Sequence, residues 1–185
     1  EQLPHRFPGT LGRLPGLVLL AALAAPAVAD DALWGRLREG GLVVMMRHAT
    51  APGTGDPPGF KLGDCATQRN LSEEGRAEAR RIGEAFRRER VPVAEVRSSA
   101  WCRCRETAEL AFGRYTAWPP INSFFGDRAV EPERTAAVRA LGARRAKAEN
   151  LVLVTHQVNI TAVTGVYPAS GEMVILQPAG ADRLE

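Results

Sequence analysis

Leu42-Val43-Val44-Met45-Met46-Arg47-His48 is the stretch on which the fold turns. Five consecutive apolar residues follow the Gly40-Gly41 break, and a continuous run of this kind reads as a strand covered on both faces rather than one with a wet side. It ends in a cation and an imidazole. The same grammar returns late in the chain, where Leu151-Val152-Leu153-Val154-Thr155 runs directly into His156. Carboxyl ends of strands in open α/β sheets gather ligand-binding groups, so these two distant histidines are expected to meet at one sheet edge.

Between these strands the pattern alternates. Asp30 to Gly40 reads as a short helical lead-in. Thr50 to Asn70 is rich in Gly, Pro, Asp and Thr and reads as an irregular loop, long enough to frame a ligand. Ser72 is a candidate N-cap, with Glu73 and Glu74 in the first turn of a helix to about Arg88. Its apolar stripe is Ala77, Ile82, Ala85 and Phe86. Val91–Val96 supplies a strand, and Trp101–Phe112 a helix closed by Gly113. Pro132–Lys147 reads as a charged surface helix with proline in its first turn. Asn159–Thr164 reads as a further helix, and Glu172–Leu176 as a last strand. Strands alternating with helices predict a three-layer α/β sandwich with a mostly parallel central sheet flanked by helices.

The 185 residues suit one domain, and 45% hydrophobic with 24% charged residues argues against both disorder and a membrane-embedded bundle. Twenty-four Lys plus Arg against 21 Asp plus Glu leave a net charge of +3, too balanced to imply a nucleic-acid partner. Arg6 and Arg13 precede the apolar run Leu17 to Ala25, and Ala27-Val28-Ala29 has signal-peptidase spacing. Residues 1–29 therefore read as a signal peptide, 30–183 as the single domain, and Leu184-Glu185 as a cloning scar. Periplasmic or secreted localisation is expected. No later stretch is long and apolar enough to span a membrane, and nothing in the sequence sets an oligomeric state.

The cysteines are Cys65, Cys102 and Cys104. If Cys102 and Cys104 share a helix they face each other poorly, so Cys65 is the better partner for either. One Cys65 bridge and three ordinary buried thiols both stand as readings.

Arg47 adjoins His48, and Arg103 follows the intervening strand. Two imidazoles and two permanent cations suit a phosphoryl group. Guanidinium forks match phosphate oxygens, and an imidazole can attack phosphorus and then serve as leaving group. Separate surface or structural ion pairs are the bland alternative.

With these residues in view, the sequence resembles the histidine phosphatase superfamily, also called phosphoglycerate-mutase-like. Arg47-His48-Ala49 resembles its Arg-His-Gly signature, with alanine for glycine. Leu71-Ser72-Glu73-Glu74-Gly75 resembles the opening of its first long helix. Ser98 to Ala108 resembles the segment of the second phosphate-binding arginine, and its spacing selects Arg103 over Arg105. Val152-Leu153-Val154-Thr155-His156 resembles the late strand and second histidine, and Gly171-Glu172 the closing segment. Gln157 stands where many relatives have glycine.

The resemblance implies a phosphoglycerate-mutase-like fold and a phosphomonoesterase needing no metal or other cofactor. His48 is then the nucleophile that forms a phosphohistidine, and Arg47, Arg103 and His156 hold phosphate oxygens, His156 as a charged donor if protonated. The resemblance also implies a carboxylic acid after the second arginine segment. Asp127 is the first choice and Glu131 the alternative, while an exposed Asp127 paired with Arg128 is the structural reading. Glu172 belongs to the closing segment and is read as fixing local structure. Arg69 and Asn70 are candidate substrate contacts, against readings as a solvated cation and a residue preceding the helix cap. Trp101 is read as packing, Lys61 as a weak candidate and Arg105 as a surface cation.

The expected partner is a small phosphorylated metabolite, a sugar phosphate among the options. A mutase ranks lower because the chain is short. A noncatalytic phosphate-binding or envelope-associated regulatory protein is the alternative from another class. A metal-binding protein is poorer still, because nearby arginines disfavour a cation.

Overall fold

The computed structural model describes residues 28–143, 148–180 and 183–185, with side chains from residue 31 onward. The signal-peptide reading therefore falls outside the described residues except for Val28 and Ala29, which open the first helix.

In chain order the regular elements are α1 (Val28–Glu39), β1 (Val43–Arg47), α2 (Glu73–Arg88), β2 (Val93–Ser98), α3 (Cys102–Phe112), β3 (Thr116–Ala117), α4 (Glu131–Ala143), β4 (Asn150–Thr155), α5 (Gln157–Thr164) and β5 (Met173–Leu176). The strands form one sheet in the order β3-β2-β4-β1-β5. All neighbours pair in parallel except β5, which runs antiparallel to β1 at the edge.

Alternation along the central strands sends their residues to two separate cores. Val44, Met46, Val152 and Val154 pack with Leu37, Phe86 and Ala108, hence against α1, α2 and α3. Val43, Met45, Leu151 and Leu153 pack with Ile121, Val138 and Ile160, hence against α4 and α5. This double burial explains why both strand sequences are apolar throughout, and it makes the sandwich three layers deep.

Helix α2 matches its expected span, and Ser72 Oγ accepts from the Gly75 amide as N-cap. Its glycines are required by close approach. A Cβ on Gly75 would lie 2.0 Å from the Thr50 carbonyl oxygen, and one on Gly83 would lie 2.1 Å from that of Ala111. Glycine thus lets α2 touch the loop after β1 on one turn and α3 two turns later. Helix α3 ends as expected at Gly113, in the left-handed conformation.

Several boundaries move. Strand β2 starts two residues late, at Val93, because Pro92 has no amide to donate and its carbonyl instead accepts from the Asn150 amide and side chain. The two-residue edge strand β3 has no apolar pattern and was not expected. The expected helix Pro132–Lys147 runs Glu131–Ala143, and residues 144–147 lie outside the described set. Helix α5 begins at Gln157, two residues before the expected start, directly after β4. Leu184 and Glu185, read as a scar, are packed here. Leu184 joins the core under α4, and Glu185 exchanges two backbone hydrogen bonds with Gln177.

Candidate active site

The register between β1 and β4 builds the centre. Arg47 pairs with Thr155, and the His48 amide donates to the Thr155 carbonyl at 2.9 Å. His48 and His156 therefore leave adjacent parallel strands at the same level, with ring centroids 5.6 Å apart. Strand β2 flanks β4 on the other side. There the Ser99 amide bonds to the Val154 carbonyl, and Ser99 Oγ lies 2.8 Å from His156 Nε2. Arg103 enters from the first turn of α3.

Arg47, His48, Arg103 and His156 line a cleft of about 530 Å³ together with Arg69 and Asp127. His48 is 2% exposed and His156 4%. Burial, reinforced by the charges of Arg103, Arg69 and Arg47 and only partly offset by the Ala49 carbonyl, lowers His48 from 6.5 to about 3. The imidazole is neutral. Its Nδ1 lies 2.8 Å from the Ala49 carbonyl, which can only accept, so Nδ1 carries the proton and Nε2 keeps a lone pair. His156 is pushed well below its usual value by burial, then by His48 and the three arginines. Without an anion in the cleft, His156 is thus held towards its neutral form. Beneath it, burial pushes the Cys104 thiol up to about 12, leaving it 3.5 Å from His156 Nε2 as a protonated group.

The arginines differ in how they are held. Arg47 donates to the Pro168 carbonyl at 2.9 Å. Arg69 donates to the carbonyls of Gly55 and Ala51, so it is an anchored cleft residue and not a solvated cation. Arg103 forms a forked ion pair with Asp56. Asp56 was not singled out in the sequence. Its only signal was an Asp between Gly55 and Pro57 in a loop already suspected of framing a ligand. Among the described residues, Arg47 Nε and Arg103 Nε are buried without a hydrogen-bond partner.

Asp127 reaches the cleft but does not pair with Arg128. Its Oδ1 accepts from the Ala129 amide and caps the short turn Arg128–Val130. Arg128 instead pairs with Glu131 at 2.9 Å, which keeps the alternative acid at the start of α4 and away from the cleft lining. Asn70 is also corrected. Its amide donates to the Cys65 and Gln68 carbonyls, so it shapes the loop and does not line the cleft. Glu172 does fix local structure, accepting from the Ala169 amide while its carbonyl receives the Arg47 amide. Trp101 has more than a packing role, since it lines the cleft and donates its indole N–H to Asp56 at 2.9 Å. Arg105 bonds the Tyr115 hydroxyl at 3.0 Å, and Lys61 lies outside the cleft lining.

The open cysteine question is resolved as Cys65–Cys102, with Cys104 free and buried. Ala49 is fully buried with Ala51, Leu71 and Ala79, and its φ is not positive, so the methyl in place of the usual glycine packs without strain.

The family profile of the histidine phosphatase superfamily (branch 1) matches residues 43–122. Over that stretch, which is less than half of its length, the chain is similar to that superfamily. The matched segment carries Arg47, His48, Arg69 and Arg103, and the sheet brings His156 to them from outside it. No curated protein matches it in sequence.

Solved structures share the phosphoglycerate-mutase-like fold. A functionally characterised open reading frame product of Mycobacterium tuberculosis aligns with TM-score 0.59 and 15% identity, over 78% of this chain and 95% of its own. Mycobacterial glucosyl-3-phosphoglycerate phosphatase gives TM-score 0.56 and 16% identity, over 78% and 96%. The protein histidine phosphatase SixA complexed with tungstate gives 0.55 and 16%, over 78% and 94%. Among the described residues, no three His, Cys, Asp or Glu side chains cluster as a metal site, and no helix is long and apolar enough to cross a membrane.

Proposed function

We propose that the protein hydrolyses a small phosphomonoester, a sugar phosphate being the favoured substrate class, through a phosphohistidine on His48. The observation that carries this reading is the neutral His48 ring, its Nδ1 tied to the Ala49 carbonyl and its Nε2 free, in a cleft with Arg47, Arg69 and Arg103.

Nε2 attacks phosphorus in line as the bond to the leaving oxygen breaks. Arg47 and Arg103 hold charge on the equatorial oxygens through the transfer, and Arg69 adds a third fixed cation. Neutral His156 contributes a hydrogen-bonding ring supported by Ser99. Asp127, at the cleft mouth, gives its proton to the departing alkoxide. Water then attacks the phosphohistidine, returning a proton to Asp127 and releasing orthophosphate and free His48. No step calls on a metal.

Phe60, Trp101 and Phe125 among the lining residues supply apolar surface on which a sugar ring can rest. A fold relative named for glucosyl-3-phosphoglycerate lends this choice some support. Export to the periplasm or outside the cell belongs to the same proposal. It is supported by the leader-like pattern of residues 1–29 and by the Cys65–Cys102 disulfide, a bond that persists in oxidising compartments.

The test is phosphate release from a panel of sugar phosphates and simple phosphomonoesters in chelator, by wild type and His48→Asn. Turnover by wild type that the variant loses is expected. Equal background release by both would overturn the catalytic reading and leave a phosphate-binding protein.

A further inference from the structure

We infer that Asp56 is a positioning residue, which clamps Arg103 by one edge of its guanidinium so that the other edge is fixed and free for the phosphoryl group. The inference deepens the proposed function and rests on the cleft being a phosphate site.

Asp56 comes from the long loop after β1, 47 residues before Arg103, yet the two side chains are only 8% and 4% exposed. A carboxylate on a phosphate-binding arginine invites the opposite explanation, that it occupies the anion's place and must be displaced. A count of donors decides between them. A guanidinium has five N–H groups. Two leave Nη1, which bonds Asp56 Oδ1 at 2.8 Å and the Arg69 carbonyl at 3.2 Å. One leaves Nη2 for Asp56 Oδ2 at 3.2 Å. The remaining two are the Nε–H, buried without a partner among the described residues, and the second N–H of Nη2. These two lie on the same side of the guanidinium and form the edge that grips an oxyanion bidentately. Asp56 thus takes the end of the fork and leaves its side edge without a protein partner among the described residues.

The carboxylate is itself held from outside the anion site. Oδ1 also accepts from the Arg69 amide at 3.1 Å, and Oδ2 from the Trp101 indole at 2.9 Å. Burial works against its ionisation, but the hydrogen bonds from Arg103, Arg69 and Trp101 outweigh it and hold the carboxyl below its ordinary value. It therefore stays a carboxylate and is no proton donor. Its negative charge also lowers the cost of crowding Arg47, Arg69 and Arg103 around an empty cleft. Cys65–Cys102 and the bond from the Cys102 amide to Gln68 Oε1 tie the same loop to the start of α3, so the clamp sits on a braced frame.

The test is a double-mutant cycle between Asp56→Ala and Arg103→Lys, read by orthophosphate binding in calorimetry and by kcat and KM on a phosphomonoester. Lysine keeps a charge but has no planar edge to orient. Asp56→Ala alone is expected to weaken orthophosphate, and to lower kcat/KM, by about tenfold or more. In the Arg103→Lys background the same change should cost less than about twofold. Equal losses in both backgrounds would mean a merely structural role. Tighter orthophosphate binding by Asp56→Ala would mean a competing plug, and no orthophosphate binding by wild type would remove the site; each overturns the inference. If wild type binds orthophosphate but turns over no ester, the proposed function fails while the binding cycle still decides the role of Asp56. Should Asp56→Ala not fold, Asp56→Asn keeps the shape, loses the charge, and is expected to show the same coupling.

Discussion

The floor of the cleft and its wall are built by different means. The floor is His48 and His156, set side by side by the parallel register of β1 and β4 and backed by two apolar cores. The wall is the loop from Thr50 to Asn70, which contains only a three-residue turn of helix and is held by specific cross-links: Asp56 to Arg103, Arg69 to backbone carbonyls, Gln68 to the Cys102 amide, and Cys65 to Cys102. Register is a collective property of strands, so no single side chain maintains the floor. In the wall, each cross-link is a single point of failure. Chemistry should therefore respond most to floor substitutions, and orientation and stability to wall substitutions.

The sharpest test of this contrast is His48→Asn, which should lower turnover by at least about a thousandfold while leaving orthophosphate binding within a fewfold of wild type. Loss of binding in parallel would mean that floor and wall are not separable. Next comes Asp127→Asn. It should slow esters of alkyl alcohols by about a hundredfold and barely affect an activated aryl ester, whose leaving group needs no proton. Equal loss on both would remove Asp127 from the acid role. Breaking the wall by Cys65→Ser with Cys102→Ser should cost about 3 kcal/mol of stability, on the order of 10 °C in the unfolding midpoint. It should raise KM more than it lowers kcat, because the histidines stay in place.

A separate readout is acid stability. His48 titrates near 3 in the fold against 6.5 unperturbed, and His156 is also depressed. Between these values the unfolded chain binds more protons, so the stability their neutral forms contribute is complete above about pH 6.5 and is lost progressively as pH falls towards 3. Thermal unfolding followed from pH 7 to 4 should show a falling midpoint, with a shallower slope in His48→Asn. An unchanged slope would mean that His48 is not held neutral by its surroundings.

By itself the sequence determined the strands that bear the histidines, the α2 span with its Ser72 cap and Gly113 as the end of α3, because each rests on local periodicity or capping. The motif spacing also picked out Arg47, His48, Arg103 and His156, and all four line one cleft. Tertiary structure alone decided what those groups meet. Asp127 caps a turn in the cleft lining while Glu131 pairs with Arg128 outside it, and the Asn70 amide is spent on loop carbonyls. The neutrality of His156 comes from burial beside His48 and three arginines drawn from separate segments. Asp56 was invisible for the same reason. A polar residue in a loop has no periodicity to betray it, and its role exists only once a side chain 47 residues away has folded back within 2.8 Å of it.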